Sequence, residues 1–397
     1  MNTLIKLPKS ALNNLEIELL LYCSRIHLDS QACDRINTIV KQKLDWDYLL
    51  KIANLHQIVQ ITYQNLNQIC PESLPQDVLS RLKTTFQTNA LYNIYLTQEL
   101  LQLVKLFEQN QIVAFAFKGP VLAVSAYGNL ELRQYSDIDF LVQQDDFALA
   151  TDLLLNEGYE LDIQVPWEYH LVKNNHCSVD LHRYIVPQHL SCSLSMDYLW
   201  NNLDSLMLSN QQVPVLVPEV ELLMLCLNGT KECWRNFNRI CDVNALIYAH
   251  PQLDWSKIIQ QAHECGFRRS LFLGILLAKN LLGTAIPEAV WQQIQSDSLV
   301  NSLFEEVSEH LFLASPEQVG EVERTVFHVR TRERWRDKIN SLIGLLNHSG
   351  WITPTEEDRK IFPQLPKFLG FVYYLIRPIR VLKKYGLNTL KRLLFYS

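Results

Sequence analysis

The stretch "FAFKGPVLAVSAYGNLELRQYSDIDFLV", residues 115–142, sets a Lys-Gly pair and two aspartates one residue apart inside an apolar run. The run from Ile112 to Phe117 is almost wholly apolar and reads as a buried strand. Pro120 suits a first helical position and Gly128 a helix end, so a short helix is expected between them. "SDIDFLVQ" is β-branched and aromatic around its aspartates and reads as a second strand. Residues i and i+2 of a strand share a face, so Asp137 and Asp139 point the same way. Two carboxylates there repel each other, and each is costly to bury unless its charge is compensated. Spaced about 6–7 Å apart along a strand, they suit one or two divalent cations.

A third carboxylate stands in "SVDLHRY", where Asp180 lies among apolar neighbours in another strand-like run, with His182 on the same face. Three carboxylates on adjacent strands are the arrangement that holds two Mg²⁺ ions in polymerase-type phosphoryl transfer. An isolated D-x-D more often caps a turn and meets solvent. The Lys-Gly turn one strand earlier and the matching Asp180 favour a metal site.

Outward from this stretch, residues 11–111 repeat apolar positions every three or four residues and read as helices. "DDFALATDLLLNEG" reads as a helix with acidic residues at its start and Gly158 at its end. "YELDIQV", "EYHLVKN" and "CSVDLHRYIV" read as three strands, the last two joined by the turn "KNNH". "QVPVLVP" is strand-like, and "PEVELLMLCLNGTKECWRNFNRICDVNALIYAH" reads as one long helix. Further helices are expected to about Asn347. The fold class is therefore α+β, a small mixed β-sheet core between N- and C-terminal helical domains. The expected boundaries are 1–111, 112–190, 191–350 and a tail at 351–397.

These pieces together resemble the bacterial uncharacterised nucleotidyltransferase family, within the superfamily of DNA polymerase beta and the kanamycin nucleotidyltransferases. The resemblance rests on "FKGPVLAVSAYG", "RQYSDIDFLV", "VDLHRYI" and the later "LLMLCLNGTKECWRNFNRICDVNAL", and covers roughly residues 40 to 270. It implies that Asp137 and Asp139 bind metal, and that Asp180 binds metal and takes the proton from the attacking hydroxyl. The implied cofactor is Mg²⁺, two ions, with Mn²⁺ as a substitute.

Around these residues, Lys118 and Gly119 are candidates for the triphosphate. Pro120 follows where the superfamily usually carries a phosphate-binding Ser. Arg133 and Ser136 flank the first aspartate; Arg133 is read either as reaching phosphate or the acidic cluster, or as part of a structural ion pair. His182 is read as orienting Asp180 or contacting substrate, or as an ordinary structural histidine. Lys231 and Asp242, eleven residues apart, would share a face of one helix, Lys231 toward phosphate and Asp242 toward the acceptor. Cys226, Cys233 and Cys241 are spaced like turns of the same helix and read as small buried hydrophobes in preference to metal ligands. Trp234 reads as core.

The net charge of −6 gives no general pull toward nucleic acid. It divides into about +7 over residues 365–397, which hold no acidic residue, and about −13 elsewhere. That basic, apolar tail is expected to dock on the acidic body or on an anionic membrane surface. No run is long enough for a spanning helix. With no secretory signal and nine cysteines free of C-x-x-C pairs, the expected setting is the reducing cytoplasm.

The expected activity is transfer of a nucleoside monophosphate from an NTP, ATP first, to an acceptor hydroxyl or amine, with release of pyrophosphate. The competing reading is a non-catalytic or antitoxin-like module that binds a nucleotide or partner on the same fold. The intact set of three aspartates weighs against it.

Overall fold

The computed structural model describes residues 14–174, 176–185, 194–312, 320–340 and 372–373. Four short helices open the described chain: α1 (Leu15–Cys23), α2 (Ser30–Ile39), α3 (Trp46–Leu55) and α4 (Val59–Ile69). The first three start where an Asn or Asp side chain accepts a backbone N–H of the first turn: Asn14 from Ile17, Asp29 from Ala32 and Asp45 from Tyr48. After the turn at Pro71–Ser73, α5 (Gln76–Gln109) runs for 34 residues, about 51 Å.

The alternation expected after Ile112 is present. β1 (Ala114–Phe117), α6 (Gly119–Ser125), β2 (Ile138–Val142), α7 (Phe147–Asn156), β3 (Glu160–Val165), β4 (Glu168–Lys173) and β5 (Cys177–His182) build one sheet of order β1-β2-β5-β4-β3. Only the β2–β5 pair is parallel. Asp146, at the start of α7, makes no capping bond there; its carboxylate accepts the Val113 N–H and ties α7 to the root of β1.

After α8 (Met196–Trp200), β6 (Leu203–Leu208) and β7 (Gln211–Leu216) form a hairpin. Only β7 was expected. Ser209 and Asn210 both take positive φ between the strands, as a two-residue hairpin turn requires. The helices that follow are α9 (Pro218–Lys231), α10 (Phe237–Ala249), α11 (Trp255–Cys265), α12 (Arg268–Leu282), α13 (Glu288–Ser296), α14 (Ser298–His310) and α15 (Glu321–Thr331).

The single helix expected over 218–250 is in fact two. Cys233 and Trp234 both adopt positive φ, 54° and 53°, and the chain turns sharply between α9 and α10. No Gly or Pro marks the break. What holds it is the indole of Trp234, fully buried and wedged where two glycines leave room. A Cβ on Gly229 would stand 2.5 Å from the ring, and one on Gly274 would stand 2.8 Å from it. Cys226, Cys233 and Cys241 are buried free thiols, spread over α9, the turn and α10.

The helices on either side of the sheet, far apart in sequence, share one apolar core. Leu20, Ile52 and Leu66 from the first segment lie in the same cluster as Leu223, Ile240 and Leu276 from the last. A second core lies against the sheet and holds Phe140, Phe147 and Leu181. Helix α5 joins the two, burying Val78 and Leu82 in the first and Leu100 and Phe107 in the second. Among the described residues, no helix is long and apolar enough to cross a membrane. The expected basic tail lies outside the described residues, apart from 372–373.

Candidate active site

The parallel pairing of β2 with β5 sets Asp139 directly beside Asp180. His182, two residues further along β5, shares their face. Ligand atoms of these three side chains all lie within 4.8 Å of one another. Asp137 stands one residue before β2 begins, and the Lys-Gly turn backs onto it. Gly119 has φ +40°, and a Cβ there would meet the Asp137 carbonyl oxygen at 3.3 Å. Lys118, with φ 58° and ψ −144°, also takes a positive φ where it opens α6. A branched or bulky residue would be strained at either position.

Charge around Asp139 is balanced from both sides. Lys118 Nζ lies 3.2 Å and His182 Nε2 lies 3.1 Å from Asp139 Oδ1. Burial opposes ionisation of Asp139, yet Lys118 and His182 outweigh it and hold the carboxyl well below the ordinary range. His182 Nδ1 in turn lies 3.3 Å from Glu168 Oε2. Asp180 Oδ1 meets His170 Nδ1 at 2.5 Å across the β4–β5 pair.

Asp137 is different. Its carboxylate takes no hydrogen bond from any described residue. Burial first, then the charges of Asp139 and Asp180, push it up to about 6. A part-buried carboxylate without a donor, beside two more, has the oxygen-rich chemistry of a Mg²⁺ or Mn²⁺ site, so the residues present fit the implied ions.

Not every expected site residue joins this group. Arg133 is 4% exposed, and its Nε and Nη2 donate to the two carboxylate oxygens of Asp242 at 2.8 and 2.9 Å. Tyr127 adds its hydroxyl at 2.8 Å. Of the two readings of Arg133, the molecule makes the structural ion pair, and its partner is Asp242. The pair fastens the segment before Asp137 to α10. Asp242 is wholly buried and turned to this task. It does not share a helix face with Lys231, because the break at Cys233 separates α9 from α10.

Lys231 does reach the site's field. Burial lowers its pKa, and the charges around it are Lys118, Glu168, Glu232 and Asp139. Ser136 is exposed, and its backbone carbonyl accepts from Tyr92 and Ser178. From α5, Asn93 Nδ2 donates to the carbonyls of Leu130 and Arg133 at 2.6 and 2.8 Å. The approach to Asp137 is thus held by α5, β5 and α10 together.

Two site residues were missed from sequence. His170 carried a signal, since pairing back from the "KNNH" turn sets it opposite Asp180. Glu221 also carried one, as a lone acid within the apolar run "VELLMLCL". It lies on α9, 7% exposed, with no hydrogen bond from any described residue. Burial pushes its carboxyl up to about 7 despite the nearby cations Lys118 and Arg133.

Several solved structures overlap this chain, among them the following two. The lincosamide antibiotic adenylyltransferase LnuA, lincomycin-bound, is 18% identical, with a TM-score of 0.26 over 32% of this chain and 83% of its own. An antigenic nucleotidyltransferase-like protein from Paracoccidioides brasiliensis is 17% identical, with a TM-score of 0.31 over 51% of this chain and 96% of its own. No curated protein matches. The family described as "Uncharacterised nucleotidyltransferase" matches residues 42–283. That span runs from the N-terminal helices through the whole sheet and both halves of the Trp234 turn to the end of α12, and the chain is therefore a member of this nucleotidyltransferase family.

Proposed function

We infer that the protein transfers a nucleoside monophosphate from an NTP, ATP first, to an acceptor hydroxyl or amine, in a Mg²⁺-dependent reaction. The observation that carries this reading is Asp139 set directly beside Asp180 by the β2–β5 pair, with Asp137 one residue before β2. Of the three aspartates, Asp139 and Asp180 are cross-strand neighbours, and Asp137 accepts no hydrogen bond from any described residue. These three would hold the ions. When bound, divalent cations stabilise negative charge on the triphosphate and make an attacking hydroxyl more acidic.

The chain's own residues do the rest. Asp180 takes the proton from the acceptor oxygen as that oxygen bonds to the α-phosphorus, and His170, in contact with Asp180, holds the base in place. The bond from the α-phosphorus to the bridging oxygen breaks, and pyrophosphate leaves. Lys118 and Lys231 supply positive charge for the departing phosphates. Gly119 lets the turn that carries Lys118 approach the Asp137 backbone. Arg133 and Asp242 keep Asp137 in register from below.

The test is calorimetric titration of ATP, GTP, CTP and UTP with Mg²⁺ into the wild type and Asp137→Asn/Asp139→Asn. A positive result is followed by an acceptor screen with α-labelled nucleotide. Cation-dependent binding lost in the double variant is expected. Absence of binding by the wild type to every nucleotide would overturn the catalytic reading in favour of a partner-binding module.

A further inference from the structure

We propose that His182 is a nitrogen ligand of a divalent cation held with Asp139 and Asp180, and that Glu168 is the positioning residue that aims it. This rests on the reading of those two aspartates as cation ligands. The β4–β5 pairing sets two acid–imidazole couples side by side in opposite order: Glu168 stands across from His182, and His170 across from Asp180. His182 is 3% exposed, and both of its ring nitrogens meet carboxylates. Nε2 lies 3.1 Å from Asp139 Oδ1, and Nδ1 lies 3.3 Å from Glu168 Oε2.

A neutral imidazole carries one N–H and one lone pair, so one of these ends sets a lone pair against a carboxylate. Nδ1 is the end without an aligned hydrogen bond. A cation shared by Asp139 and Nε2 removes the conflict. The Nε2 lone pair then serves the ion and Nδ1–H turns to Glu168, the carboxylate–histidine–metal chain that fixes a ligand's tautomer and orientation. The spacing fits. Two donors on neighbouring corners of an octahedral ion, each about 2.1 Å from it, stand about 3 Å apart. Donor atoms of Asp139, Asp180 and His182 all fall within 4.8 Å of one another. An imidazolium would also satisfy both carboxylates, but as a charge partner alone. The two arrangements differ in what a bound ion meets, because an imidazole nitrogen suits ions such as Co²⁺ better than it suits Mg²⁺.

The test uses the full chain as wild type, His182→Gln, Glu168→Ala and the double variant, with thermal melts to check each fold. The electron spin echo of added Mn²⁺ is recorded, and Co²⁺ and Mg²⁺ are titrated by calorimetry. The wild type should show echo modulation from a directly bonded nitrogen, altered by isotope-labelled histidine and absent from His182→Gln. Glu168→Ala should weaken Co²⁺ binding on the order of tenfold, with a much smaller change for Mg²⁺. It should add nothing once His182 is Gln. If His182→Gln does not fold, the wild-type echo and the Glu168→Ala titrations still decide. Mn²⁺ bound to the wild type without nitrogen modulation overturns the proposal and leaves an all-oxygen site standing. Equal losses of Co²⁺ and Mg²⁺ affinity in Glu168→Ala overturn the role of Glu168. Failure of the wild type to bind Mn²⁺ sinks the reading of Asp139 and Asp180 as cation ligands, and this proposal with it.

Discussion

Replacing Asp242 by Asn leaves the shape of the side chain almost unchanged and removes one charge. The Arg133 guanidinium then stays buried without a counter-ion. Two hydrogen bonds between opposite charges, at 2.8 and 2.9 Å, become at best one ion–dipole bond, because the amide keeps a single acceptor. At about 1.5–3 kcal/mol for each charged bond, and 3–5 kcal/mol for breaking a buried pair from one side, the expected loss is about 3–4 kcal/mol. Arg133→Met/Asp242→Leu removes both charges, so no ion is stranded. It should recover most of that loss, leaving about 1 kcal/mol for the Tyr127 hydroxyl, which no longer has its acceptor. The assay is urea denaturation followed by tryptophan fluorescence, with equal slopes required before midpoints are compared. A loss below about 1 kcal/mol for Asp242→Asn, or a double variant no more stable than the single, would refute the account of this pair as a desolvated clamp.

Three further outcomes are expected. Asp137 has a folded-state pKa of about 6, above the unfolded value of about 3.9, so its ionisation penalises the fold. The cation-free protein should therefore gain stability as pH falls through about 6 toward 4, and Asp137→Asn should lose that gain; over the same range protonation competes with Mn²⁺, whose affinity should fall with pH. Gly229→Ala drives a methyl group into the Trp234 ring and should cost at least about 1–3 kcal/mol, seen as a lowered urea midpoint with altered near-ultraviolet dichroism. His170→Ala leaves Asp180 without its contact and should lower the transfer rate without weakening NTP affinity, because His170 touches the base and not the phosphates; an affinity loss as large as the rate loss would argue against that role.

Much of the site was legible because strand chemistry is local. The period-two rule put Asp137 and Asp139 on one side, and the apolar flanks of Asp180 marked a strand able to bring it to them. The parallel register that sets Asp139 beside Asp180 was not in either segment. It depends on α7, β3 and β4 carrying the chain back to that edge of the sheet. The break between α9 and α10 was hidden for a different reason. Its residues, "ECWRN", hold neither Gly nor Pro, and the positive φ of Cys233 and Trp234 is imposed by an indole seated against Gly229 and Gly274, one in the same helix and one about forty residues later. The pairing of Arg133 with Asp242 was similarly unreadable in detail, since it joins residues 109 positions apart. β6 escaped because "LDSLML" has too few β-branched residues to stand out without its partner strand.

The core shared by the outer helices has a consequence for how the chain is made. Helices α1–α4 end at Ile69, and the C-terminal helices that share their core begin at Pro218. A ribosome adding about 5–20 residues per second needs roughly 7–30 s to cover that interval. Throughout it, the apolar faces of Leu20, Ile52 and Leu66 lack the neighbours that later bury them. The sheet, with its own core against the far half of α5, can close in the meantime. Newborn chains are then exposed to aggregation and to chaperone capture at their first four helices, and slowed translation across residues 70–217 should lengthen that exposure without touching the finished enzyme.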